Sequence, residues 1–344
     1  MYALQKSNKV PLINNVKSLF DAVDDGPEFP EFSVAKGKWD DARYRIRLAN
    51  VAAAVLASSP KGARMPGPDL LCLEEVENER VLKALKEGPL APARYRYSAM
   101  APSEGGPFSV CALSRLPILA SSCHYAATPG GRAGRDVLEL DLDLDASGMR
   151  LVVLVCHWKS KSEGAEATEE GRREAAALVR GRVAARLAAD PGAEVLVCGD
   201  LNEGPDEYVE AGRRYATALM PVEELEGLPA VASASPALPA RLLVASSAER
   251  AVPRGGEVVL YSPWAESGGY SYSFRGRRDR LDNFLLSPGL LDGSGLSFSS
   301  FFAVKADFLV NGEGDPLAWP GTGASGYSDH LPILLVLELS RGEP

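Results

Sequence analysis

Residues 136–158, DVLELDLDLDASGMRLVVLVCHW, hold the pattern that decides the fold. Leu138, Leu140, Leu142 and Leu144 alternate with Glu139, Asp141, Asp143 and Asp145. A period of two sends neighbouring side chains to opposite faces. The run therefore predicts a strand with one apolar and one wet face on an antiparallel sheet surface. Ala146-Ser147-Gly148 can turn the chain, and Leu151 to Val155 is apolar throughout. Together the two runs predict a hairpin.

Working outward, the period changes. Ala176, Val179, Val183 and Leu187 share one stripe at helical spacing, so residues 169–189 predict an amphipathic helix ended by Asp190-Pro191-Gly192. Glu194 to Cys198 follows as a strand. Upstream, Tyr44, Leu48, Val51, Ala52 and Val55 predict a helix over 44–56, Asp69 to Val76 a buried strand, and ENERVLKALKE (77–87) a second helix stopped at Gly88-Pro89. Antiparallel strands mixed with helices of this length give an α+β class of packed sheets covered by helices. Residues 221–256, rich in Ala, Pro, Ser and Gly, read as a less regular excursion within one domain spanning 1–344.

Composition narrows the function classes. With 46% hydrophobic and 24% charged residues, the chain is neither disordered nor low-complexity. Its net charge of −9 excludes a general polyanion coat, so phosphate recognition would need a local cationic site. Cys72, Cys111, Cys156 and Cys198 sit in apolar strand-like runs without zinc spacing, and read as reduced core thiols of a reducing compartment. No apolar run reaches the ~18 residues of a membrane span. MYALQKSNKVPLINN lacks a signal peptide's apolar core. The expectation is a cytoplasmic monomer without stable membrane insertion, export after loss of a signal being the alternative.

Chemistry gathers at strand ends, where a rigid sheet can present side chains. Asn15 closes a short apolar segment, as a turn residue or as an amide near a phosphate or metal. Glu74 and Glu75 end LLCL, where a carboxylate is costly to desolvate without a cation. His157 ends LVVLVC and precedes Lys159 and Lys161. It reads as a structural hydrogen-bonder or as a phosphate contact. In VCGDLN, extended backbone would point Asp200 and Asn202 the same way. They suit either an Asx turn or a site that orients water. Asp282 starts a strand in RLDNFLLS, and Asp329-His330 precedes another in SDHLPI. A histidine oriented by a carboxylate manages a proton or a developing negative charge. His124 has no such context and reads as structural. Arg275-Gly276-Arg277-Arg278-Asp279-Arg280 is either a grip on a polyanionic backbone or a solvated basic loop.

In this order, Asn15, LCLEEVEN, CHWKSK, GDLN, RLDNFLLS and SDHLPI resemble the endonuclease/exonuclease/phosphatase superfamily, with its DNase I-like fold. Asn15 to Asp21, Arg135-Asp136-Val137-Leu138, His157 to Lys161 and Gly269-Tyr270-Ser271-Tyr272 are similar to a bacterial subgroup with a His-Trp-x-Ser-Lys block. The resemblance implies a four-layer α/β/β/α sandwich and metal-assisted phosphoester hydrolysis using Mg²⁺ or Mn²⁺. It implies Glu75, Asn15 and Asp329 as metal ligands, and Asp200 and Asn202 on the attacking water. It further implies Asp282 paired with His330, His157 and His330 on the phosphoryl oxygens, and Arg135 and Lys159 on the substrate. Lys17, Cys156 and Glu74 depart from the family pattern. The leading expectation is a phosphodiesterase or nuclease acting on nucleic acid or a small phosphoester. The alternatives are a phosphomonoesterase on a sugar or lipid phosphate, and a binding protein whose chemistry Lys17 has weakened.

Overall fold

The structure is a computed structural model that describes residues 9–14, 41–60, 62–102, 108–128, 131–144, 148–225, 241–253, 257–319 and 326–340. Two large sheets carry the fold. The first has six strands: β1 (Lys9–Asn14), β2 (Leu70–Val76), β3 (Tyr97–Met100), β4 (Ser109–Ser114), β15 (Leu296–Ala303) and β16 (Ile333–Leu339), in the order β15-β16-β1-β2-β4-β3. The second has eight: β5 (Ile118–Thr128), β6 (Gly131–Asp143), β7 (Arg150–His157), β8 (Val195–Asp200), β9 (Leu219–Pro221), β10 (Leu242–Ala245), β11 (Val259–Tyr261) and β14 (Asp282–Leu286). Their order is β5-β6-β7-β8-β14-β11-β10-β9. A separate hairpin pairs β12 (Tyr272–Phe274) with β13 (Arg277–Asp279).

Strand alternation divides the apolar residues among three cores. Leu70 and Cys72 of β2, Leu151, Val153 and Val155 of β7, and Ile333, Leu335 and Leu337 of β16 meet between the sheets. On the far face of the six-stranded sheet, Leu71 and Leu73 pack against α1 (Asp41–Ala57) and α2 (Glu79–Glu87). On the far face of the eight-stranded sheet, Val152, Leu154, Val195 and Val197 pack against Ala176, Val179 and Val183 of α3 (Glu169–Ala189). Helix, sheet, sheet and helix thus stack as the expected four-layer α+β sandwich. Local signals set the boundaries of α2. The Asn78 side chain accepts the Val81 N–H at 3.0 Å, and the Gly88 N–H closes on the Ala84 carbonyl.

Two expectations change. The wet face of residues 136–144 is only partly a sheet surface, with Asp141 and Asp143 half-buried. Glu139 is buried, and Arg182 and Arg186 of α3 bond its carboxylate across the layer. His124 lies 2.9 Å from the same carboxylate. The alternating pattern gave the strand and its inner face correctly but could not show that arginines cover the outer one. Within the less regular 221–256 stretch, Leu242–Ala245 forms a buried strand parallel to both β9 and β11. A four-residue strand between Ala- and Pro-rich segments is too short to show a period.

Candidate active site at the strand ends

Three site residues stand in one row across the eight-stranded sheet. His157 of β7 pairs in register with Asp200 of β8, and Asp200 with Asp282 of β14. Val155, Cys198 and Phe284, two residues away on each strand, lie in the core between the sheets. Alternation therefore turns His157, Asp200 and Asp282 toward that same layer, capping its apolar stripes with polar groups. All three are buried. Gly199 makes this spacing possible. Its φ is +139°, and a Cβ there would lie 1.8 Å from the Cys156 carbonyl oxygen.

The other sheet supplies the rest. Between Leu73, opposite Cys111, and Val76, opposite Ser109, β2 carries a bulge. Glu74 and Glu75 occupy it, and Glu75 adopts a left-handed φ of 57°. A bulge of this kind re-aims side chains. Glu75, with a side chain about one-fifth exposed, brings Oε1 to 3.8 Å from His157 Nε2, while Asp200 Oδ2 lies 3.6 Å from the same nitrogen. Carboxylates from two different sheets thus flank one imidazole.

His330 precedes β16 and is tied down through its backbone. Its N–H donates to Ser328 Oγ at 3.1 Å, and it bridges Tyr272 of the hairpin. Its Nδ1 lies 2.7 Å from Asp282 Oδ2, with both side chains fully buried. With Asp282 ionised, the carboxylate can only accept, and Nδ1 of His330 is then the donor in this contact. Burial pushes the Asp282 carboxyl up, against the downward pull of His330, with Asp200 adding to the rise. Trp264 Nε1 donates to the Asp282 carbonyl at 2.7 Å.

Asn202 reaches Asp200 by a different route from the expected one. The strand stops at Asp200, and Asn202 has φ of +50°. Its backbone N–H donates to Asp200 Oδ1 at 2.8 Å, and its Nδ2 to Asp200 Oδ2 at 3.1 Å. The Asx turn and the paired carboxylate and amide are one and the same structure.

Several supporting residues carried no usable sequence signal. Arg172 of α3, completely buried, donates to the carbonyl of Lys159 and to the carboxylates of Glu203 and Glu169. Asn283 Nδ2 donates to the Glu203 carbonyl at 2.9 Å. One guanidinium thereby links the segments after His157 and Asp200, and Asn283 extends the link to β14. Arg47 and Asn50 of α1 donate to the carbonyls of Tyr327 and Gly326, just before Asp329. Glu203 follows GDLN directly, and its position there was the one available hint.

The remaining expectations divide. Asn15 and Lys17 lie outside the described residues. Arg135 lies in β6, but its side chain is outside the described set. Lys159 is partly exposed and pairs with Glu163 at 2.8 Å. Asp329 is half-buried, and its Oδ1 has no hydrogen-bond partner among the described residues. The four core thiols are free and buried, and burial pushes the Cys156 thiol far up. Burial thus disfavours the Cys156 thiolate, the form of a cysteine that reacts as a nucleophile.

The sequence profile of the Endonuclease/Exonuclease/phosphatase family matches residues 12–215. The chain belongs to this family. No curated protein matches it. Among solved structures, this family member is similar to Caenorhabditis elegans TDP2, with 16% identity and a TM-score of 0.55 over 98% of this chain and 77% of that one. It is also similar to D. rerio TDP2 complexed with single strand DNA product, at 15% identity, a TM-score of 0.53 and coverage of 96% and 99%. The human Nocturnin catalytic domain with bound sulfate matches at 15% identity and a TM-score of 0.52, covering 97% and 96%. These likenesses show the DNase I-like fold. Family membership supports a metal-dependent phosphoesterase or nuclease type of activity. No helix among the described residues is long and apolar enough to cross a membrane.

The donor set suits a divalent ion. Asp200, Asp282 and His330 bring ligand atoms within 4.8 Å of one another. Asp282 Oδ2 and His330 Nδ1 are already bonded to each other, so we read that pair as a proton-holding dyad and not as two ligands. Oxygen donors remain: the part-exposed carboxylate of Glu75 and the buried Asp329 Oδ1, which has no hydrogen-bond partner among the described residues. Hard cations prefer such oxygens.

Proposed function

We propose that the protein is a divalent-metal-dependent phosphodiesterase that hydrolyses a P–O bond with an oriented water, nucleic acid being the leading substrate class. One observation carries this reading: the row His157–Asp200–Asp282, with His330 bonded to Asp282 and Glu75 meeting His157 from the other sheet. Glu75, Asp329 and Asn15 would hold Mg²⁺ or Mn²⁺. Such an ion, when bound, neutralises charge on the phosphoryl group and polarises it. Asp200 orients the attacking water, and Asn202 fixes the carboxylate through two hydrogen bonds. His330, its Nδ1–H held by Asp282, would carry a second proton on Nε2 and donate it as an imidazolium to a phosphoryl oxygen, and His157 shares that charge. Phosphoryl transfer needs chiefly this positioning and charge stabilisation. The D. rerio relative's single-strand DNA product supports a nucleic acid substrate. Residues 1–344 form one domain in this reading, because the site draws on both sheets.

Hydrolysis of bis(4-nitrophenyl) phosphate and of oligonucleotides, with Mg²⁺, Mn²⁺ or EDTA, tests the proposal. Turnover should require metal, and D200N and H330A should each lower it by about 10²–10⁴-fold. Metal-independent turnover, or full activity in both variants, refutes the reading.

A further inference from the structure

The β12–β13 hairpin joins the site to solvent through a strip of rings. The Tyr272 ring lies 4.6 Å from the His330 ring, and Phe274, two residues on and on the same face, lies 6.4 Å from Tyr272 with planes only 13° apart. Phe274 is 56% exposed. Arg275 places its guanidinium 5.0 Å above that ring.

The four arginines of the basic run are not equivalent. Arg277 pairs with Asp279 and Glu210, Arg278 with Asp315, and Arg280 with Asp206. Arg275 makes no ion pair among the described residues. It also occupies a demanding position. Phe274 pairs with Arg277, so Arg275 and Gly276 are a two-residue turn with φ of +51° and +82°. Such turns favour Asn or Gly at the first position, and an arginine there is strained. The turn places a cation over an exposed aromatic face, on the hairpin whose Tyr272 lies against His330.

We propose that this hairpin tip is a binding subsite for an unpaired polynucleotide strand. A nucleobase stacks on Phe274, and Arg275 contacts the neighbouring phosphate, while the scissile phosphate lies by His330. A duplex, whose bases are already stacked, cannot use the ring. The inference rests on the phosphodiesterase reading and specifies its substrate.

Anisotropy of fluorescent DNA and RNA oligonucleotides, single-stranded and duplex, measured in EDTA, tests it without turnover. Wild type should bind single strands at least tenfold more tightly than duplex. F274A and F274L should each weaken single-strand binding about tenfold, and F274W should restore it, because stacking needs a π face. R275G should bind about threefold more weakly and with a shallower salt dependence, yet melt no lower than wild type, since glycine suits the turn. Unchanged binding in F274A and R275G, or equal binding of duplex and single strand, overturns the proposal. Bis(4-nitrophenyl) phosphate separates the two readings. Wild type that hydrolyses it but binds no oligonucleotide overturns the hairpin subsite alone. Phe274-dependent binding without any metal-dependent hydrolysis overturns the phosphodiesterase reading alone.

Discussion

Two buried carboxylates on the same sheet have opposite fates. Glu139 of β6 faces α3, where Arg182 and Arg186 bond it, and those arginines hold its carboxyl below the ordinary range against the push of burial. Asp282 of β14 faces the other sheet with His330 and Ser271 beside it and the like charge of Asp200 on the next strand, and burial holds its carboxyl above that range. The protein fully neutralises the carboxylate it uses as a strut. At the strand ends burial and a neighbouring carboxylate both push the Asp282 carboxyl up, and in the proposed reading a cation with its phosphate would complete the balance.

The strongest way to break the comparison is to destroy the row itself. A Cβ in Gly199→Ala would meet a backbone oxygen that no rotamer change can clear. We expect destabilisation by more than about 4 kcal/mol, seen as loss of the folded baseline in urea. Next, D282N and E139Q should differ in sign. D282N should lose about a hundredfold or more of phosphodiesterase activity while staying at least as stable as wild type at pH 8, because it removes a charge that the fold penalises. E139Q should keep its activity and lose about 1–2 kcal/mol. The Glu139 contribution is present above the ordinary carboxylate range and is lost as pH falls through its depressed value, so the E139Q deficit should shrink in acid. Urea midpoints at pH 8 and pH 4 check both variants.

The smallest effect sharpens the rule at the opposite ends of the strands. Glu194, just before β8, accepts the Leu296 N–H at 2.6 Å, and burial raises its pKa to about 7. Its protonated form suits the fold, so its contribution is complete below about 4.5 and is lost as pH rises through about 7. E194Q should flatten the melting temperature between those values and gain relative to wild type above pH 7. An unaltered pH profile would show that Glu194 has a partner cation in solution.

How much was legible follows from the range of each interaction. The hairpin at 136–157, the helix at 169–189 and the strand ends at His157, Asp200 and Asp282 rest on local periodicity, and the sequence displays them directly. The bulge that lets Glu75 turn toward His157 depends on pairing with β4, which no local pattern encodes. Arg172 and Glu203 meet across 31 positions, and an arginine inside an Arg-rich helix looks like any solvated charge. The basic run at 275–280 needed coordinates to reveal that three of its arginines already have carboxylate partners.

The site also has a bearing on how the molecule matures and fails. Glu75 belongs to one sheet, while His157, Asp200 and Asp282 belong to the other. Neither half owns all of these residues, so the proposed site would be complete only once the layers dock. A chain whose layers have slid apart could retain its full circular dichroism signal and still be inert.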